Sequence, residues 1–173
     1  LSPAQVTALY AQTGAEKTRR SASSLLLLSV LAGAIIALAG AATNTAVYGM
    51  ADTWTIRTVC ALLFPFGLAM VVLTGAELFT GNCLITISRL DRRCTFAGML
   101  RNWVLVFAGN AVGAVLVSFA CARFGQMDYS SGLLGAYTIK VAAGKCALSF
   151  PNAFVLGILC NFLVCLGVIM ALS

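Results

Sequence analysis

Glu77 stands in the stretch GAELFTGN (Gly75 to Asn82), inside an apolar run that begins near Thr58 and lasts to Ser88. It is the one acidic residue set deep in an apolar run of this chain. A carboxylate at membrane depth is costly unless it faces a cavity or finds partners, so its position marks a candidate functional site. Gly75 and Gly81 flank it and permit a backbone turn, while Thr80 and Asn82 carry polar side chains that can satisfy freed amide groups. Two readings follow from the residues. One is a helix broken at mid-membrane, where bare backbone and half-helix ends meet a permeating substrate. The other is a kinked helix with a buried, hydrogen-bonded glutamate. Irregular backbone at that depth is tolerated only where it is buried in protein or lines a water-filled cavity. Membrane-embedded catalysis would need clustered His, Asp, Cys or Glu, and the chain has 0 histidines, so the reading is not an enzyme.

The elements that must hold this stretch are long and apolar. Of 173 residues, 61% are hydrophobic and 9% charged, against roughly a quarter charged in a soluble domain, and mean hydropathy is +0.98. The fold class is all-α integral membrane. Spans of the roughly 20 residues that cross a bilayer core are predicted at about 24–46, 56–88, 96–124 and 147–172. The second is too long for one straight helix, and is predicted to be interrupted at 75–82, one half running from Arg57 to Thr74 and a short half from Asn82 to Ser88. Residues 1–23 read as a helix along the membrane surface, with Ser2 as N-cap and Pro3 in the first turn. Gly125 to Cys146 forms the one sizeable loop between spans, with a short interfacial helix, and the whole of 1–173 reads as one transmembrane domain. Small residues (Ala32, Gly33, Ala37, Gly40 and Ala41 on the first span, Gly109 and Gly113 on the third) let helix backbones approach closely.

Charge placement sets orientation. Lys17, Arg19, Arg20, Arg89, Arg92, Arg93 and Arg101 fall on one side, and Arg57, Arg123, Lys140 and Lys145 on the other. The excess of basic residues places the N-terminus in the cytoplasm, and the expected location is the plasma (inner) membrane. No basic stripe with aromatic interleaving points to nucleic acid. The cysteines, among them Cys60, Cys83, Cys121, Cys160 and Cys165, read as small buried hydrophobes. With no CxxC pair and no histidine, no thiol–imidazole metal site is expected, and no cofactor.

GAELFTGN resembles the signature of the formate/nitrite transporter family, channels for formate, nitrite and hydrosulfide. RNWVLVFAGNAVGA (Arg101 to Ala114) resembles that family's third span, GILCNFLVCLGVIMA (Gly157 to Ala171) its fourth, and SPAQV its N-terminal helix. The resemblance implies a homopentamer with a pore through each protomer, in an aquaporin-like bundle of six spans built from two inverted repeats. Four are visible here, and the fifth and sixth, with the family's central histidine, are not in this sequence. The chain is therefore expected to be part of a longer product.

Carried over by position, Thr80 would hydrogen-bond the central histidine, and Leu78 and Phe79 would form the cytoplasmic constriction. Phe64, with Leu68 one turn further in, would form the outer one. Each apolar residue taken alone is equally ordinary core packing. By position Lys145, at the outer end of the fourth span in AAGKC, is an interfacial lysine snorkelling to headgroups; the resemblance makes it the pore-entrance lysine that draws anions. Asn161 would help hold the broken-helix loops with Gly75, Gly81 and Asn82. Glu77 is assigned to the same duty, because a bare carboxylate in the lumen would repel an anion. The reading implied is a channel or proton-coupled transporter for a small monovalent weak-acid anion, formate first, nitrite or hydrosulfide behind it. A noncatalytic membrane scaffold is the alternative from another class. A gating role for the N-terminal segment, with Lys17 near the pore mouth, is a further expectation.

Overall fold

A computed structural model describes residues 1–172. In chain order its helices are α1 Pro3–Arg19, α2 Ala22–Val47, α3 Thr53–Leu63, α4 Pro65–Thr74, α5 Phe79–Asn82, α6 Ile85–Leu90, α7 Phe96–Arg123, α8 Leu133–Cys146 and α9 Phe150–Met170, with a 3-10 turn at Gln126–Asp128. The described residues contain no strand. Polar residues start the helices as their chemistry dictates. Ser2 and Gln5 form a reciprocal capping box on α1, and Ser21 and Thr95 cap α2 and α7 through their hydroxyls. Asp52 caps α3, where the Thr55 hydroxyl and then its amide hold the carboxyl below its ordinary range.

Among the described residues, four stretches are long and apolar enough to cross a membrane: α2, Thr53–Thr74 (α3 with α4), α7 and α9. The most extensive packing is between α2 and α7. It depends on missing side chains, as the small-residue pattern predicts. A Cβ at Gly113 would strike the Val30 carbonyl oxygen and come within 2.8 Å of Ala34 N. One at Gly33 would strike the Asn110 backbone, whereas Gly40 has nothing within 4 Å and takes no part. Helix α1 does not merely lie alongside: Val6, Tyr10, Ala11 and Ala15 are buried, and it packs on α6 and α7.

The second predicted span departs most from expectation. It comes in four helical pieces: the irregular backbone around Glu77 covers 75–78 rather than 75–82, and a further turn at Cys83–Leu84 separates α5 from α6. Thr80, Gly81 and Asn82 belong to the helical turn α5, their backbone carbonyls answered from other helices, as described below. Gly75 alone needs its glycine for backbone conformation there (φ 67°). Gly81 is helical, with φ outside the left-handed region. Pro65, which lacks an N–H, divides α3 from α4. The fourth span begins at Phe150 rather than 147, since Ser149 is extended and Pro151 opens the helix. Lys145 consequently lies in the last turn of α8 and not on α9. Helix α9 buries none of its residues, and its main contact is with α5.

The glycine contrast can be tested by thermal unfolding in detergent. Gly113→Val should destabilise by about 1–3 kcal/mol through overpacking, while Gly40→Ala should be neutral or stabilising by up to about 1 kcal/mol. Equal effects would contradict the α2–α7 packing described.

Candidate functional site

The chain ends α4 at Gly75 with a Schellman motif: Ala76 N donates to Val71 O (3.1 Å) and Gly75 N to Val72 O (3.2 Å). Ala76 and Glu77 then turn into the interior, where both are buried. The Glu77 carboxylate is wholly enclosed and fully paired. Lys17 Nζ donates to Oε2 at 2.9 Å, Arg20 Nη1 to Oε1 at 2.7 Å, and Asn82 Nδ2 to Oε2 at 2.6 Å. Lys17 also donates to Asn82 Oδ1 (2.9 Å), and Asn82 Nδ2 to Asn102 Oδ1 (2.9 Å). A buried charge stripped of its partners is strongly destabilising, so the two cations of the α1 end and the carboxylate of the break stand or fall together.

Backbone groups of the break and of α5 are answered from four helices, α1, α2, α7 and α9. Glu77 N donates to Leu28 O of α2 at 3.1 Å. Asn110 of α7 serves both sides of the gap: its Nδ2 donates to Glu77 O and to Ser29 O (2.8 Å each), and its Oδ1 accepts from Phe79 N (2.8 Å). Tyr10 donates its hydroxyl to Gly81 O at 3.1 Å. Burial, and next the Glu77 charge, push that phenol above its ordinary range, which keeps it a donor. Trp103 Nε1 donates to Asn82 O at 2.9 Å. On the opposite side Asn161 Nδ2 donates to Thr80 O (3.3 Å) and to Cys83 Sγ (3.3 Å), and Cys165 Sγ to Thr80 O (3.4 Å).

A cavity of about 220 Å³ opens beside the break, between α1, α4 and the end of α9. Lys17, Arg20, Glu77 and Asn82 give it a polar wall, and Leu68, Leu78 and Val168 an apolar one. Of the predicted residues, the structure brings Leu68, Gly75, Glu77, Leu78, Gly81 and Asn82 to this cavity. Phe79 and Thr80 follow directly, but the Phe79 ring lies edge-on against Phe107 (5.4 Å between centroids) and Trp103 (6.4 Å) of α7. Phe64 is half exposed at the α3–α4 junction, and Lys145 is exposed on α8; neither lines this cavity. Asn161 Nδ2 donates to the carbonyl of Thr80, in the α5 turn that follows the break.

Residues 4–173 match the family model Formate/nitrite transporter. The chain belongs to that family. The "Probable formate transporter" of Methanothermobacter thermautotrophicus is 34% identical over 190 residues, covering 99% of this chain and 69% of that protein. The "Formate channel FocA" of Haemophilus influenzae is 34% identical over 175 residues, with 100% of this chain and 62% of the relative covered. A solved structure, "Pentameric formate channel with formate bound", superposes with a TM-score of 0.76 at 33% identity, covering 88% of this chain and 60% of that one. The chain thus spans about three fifths to two thirds of the length of these relatives. Membership of a transporter family and the apolar helices make it a multi-pass membrane protein.

Several residues that hold the site are not singled out by sequence pattern. Arg20, Tyr10, Asn102, Trp103 and Asn110 have partners tens of positions away, and their own neighbourhoods look ordinary. Asn110, in the apolar FAGNAVG, carries the one available signal, since a carboxamide inside a span needs partners. Replacing it with leucine should cost about 2–3 kcal/mol, from lost hydrogen bonds and the orphaned Phe79 amide. Unfolding of Asn110→Leu in detergent measures this, and wild-type stability would show that the break is held otherwise.

Proposed function

We propose that this protein passes small monovalent weak-acid anions across a membrane, with formate the leading substrate and nitrite or hydrosulfide behind it. The observation that carries the reading is the break at Gly75–Leu78, where a buried, fully paired carboxylate and backbone groups answered from α2 and α7 lie beside a cavity. A membrane scaffold has no use for that arrangement. The relatives named above as formate channels and a formate transporter support the choice of substrate, and the pentameric solved structure supports a homopentamer. The plasma membrane, with the N-terminus cytoplasmic, completes the proposal.

In this mechanism Glu77 is a holder of the loop and does not meet substrate, because Lys17, Arg20 and Asn82 occupy its carboxylate oxygens. The cations it retains keep the cavity wall from presenting a bare negative charge. Leu68 and Leu78 set an apolar passage that penalises a naked anion and favours the protonated, neutral acid. Thr80 follows at the end of the break, its carbonyl fixed by Asn161 so that its hydroxyl is left for a pore partner. Lys145, on α8, gathers anions at the outer entrance. Lys17 links the N-terminal helix to the break, the physical basis for a gating role of that helix.

Flux into liposomes carrying the intact protein tests the proposal, with formate, nitrite and hydrosulfide compared at equal gradient and pH. Formate should move fastest, and Thr80→Val and Lys145→Ala should each lower its flux, by about tenfold for Thr80→Val. No flux above empty vesicles would overturn the channel reading in favour of a scaffold.

A further inference from the structure

Away from the cavity, a groove opens at the joint between α1 and the loop that links α6 to α7. It is lined by Gln12, Ala15, Glu16 and Arg19 of α1 and by Arg92 and Arg93 of the loop. Three guanidiniums face one carboxylate among these residues. Glu16 accepts from the Gln12 amide (3.2 Å), and Arg93 pairs with Asp91. The Arg19 and Arg92 side chains make no hydrogen bond or ion pair among the described residues, and both are exposed.

The backbone of Arg92 is the second observation. Helix α6 ends with the same Schellman geometry that ends α4: Arg93 N donates to Ser88 O (2.9 Å) and Arg92 N to Arg89 O (3.1 Å). At the equivalent left-handed position α4 has Gly75 (φ 67°), whereas α6 has Arg92 (φ 57°). Glycine takes this conformation without steric cost and a long side chain does not. Backbone cost is carried here by an arginine whose side chain has no partner and faces a groove shared with Arg19. Strain of this kind clusters where a site needs a side chain held in place.

We propose that this groove binds a phosphate group, bridged by Arg19 from α1 and by Arg92 and Arg93 from the α6–α7 loop. Guanidinium forks match phosphate oxygens in geometry and charge. The group can be a phospholipid headgroup or a free phosphate, since the chemistry recognised is the same. The occupant joins two elements that otherwise meet through uncharged contacts. At that joint Gly14 is so close to Ser88 that a Cβ would strike its hydroxyl, and the Ser88 hydroxyl lies 3.5 Å from Tyr10 O. Because α1 also carries Lys17 and leads into Arg20, a phosphate in the groove latches the helix that supplies the cations of Glu77.

The test is the melting temperature of the intact detergent-purified protein at fixed ionic strength. It is titrated with inorganic phosphate against chloride, and with short-chain phosphatidic acid against short-chain phosphatidylcholine. Saturable stabilisation is expected from at least one phosphate source: by both if the bare group suffices, by phosphatidic acid alone if the site takes a lipid, and by inorganic phosphate alone if it takes a soluble anion. Arg92→Gly should weaken the response by about tenfold in concentration, yet leave the anion-free melting temperature unchanged or higher, because glycine relieves the left-handed backbone. Arg19→Gln should weaken it from the α1 side. The inference fails if neither phosphate source stabilises the protein, or if Arg92→Gly responds like the unaltered chain.

Discussion

The structure turns on one constraint: the carboxylate of Glu77 is completely enclosed and must be paired. Enclosing a lone charge would cost more than a fold of marginal stability can offset. The chain meets this with Lys17 and Arg20 at one end of α1 and with Asn82 one helical turn past the break. The N-terminal helix is therefore part of the site's electrostatics. Its capping box fixes where it starts, and the buried face of Val6, Tyr10, Ala11 and Ala15 fixes how it docks. Together they bring the two cations to the break.

A broken span also frees backbone groups that a continuous helix would satisfy itself. Here they are answered by α1 through Tyr10, by α2 through the carbonyl of Leu28, by α7 through Asn110 and Trp103, and by α9 through Asn161. The same need accounts for the close packing of α2 on α7 at Gly33 and Gly113. A wider separation would pull Asn110 away from Ser29 and Glu77, which it bridges at 2.8 Å. Close helix packing and a satisfied break are one requirement seen at two levels.

The apolar spans are legible in sequence because each is a local property of composition and length. So is the place of the break, since an apolar run rarely tolerates a carboxylate that has no partner or cavity, and Gly75 supplies the left-handed turn. Its extent is not legible. Thr80, Gly81 and Asn82 have loop-like composition, yet they are helical, their backbone carbonyls answered by partners distant in sequence. The same distance hides Arg20 and Asn110, whose value lies in what folding brings to them. Apolar composition runs on past Lys145 and so draws it onto the fourth span. The true boundary is written in Ser149 and Pro151, an extended residue and a first-turn proline. Arg92 enters the sequence reading simply as one cation in an orientation count, and only the backbone shows that it occupies a glycine position.

The most direct measurement is a double-mutant cycle between Lys17 and Glu77, using Lys17→Met, Glu77→Gln and the pair, with unfolding free energies in detergent. If the buried cluster holds the break, the two sites couple by about 1.5 kcal/mol or more, each single substitution costing more than its share of the double. Additive effects, with coupling near zero, would mean that Glu77 does not depend on Lys17 and would contradict a cluster in which the two are paired.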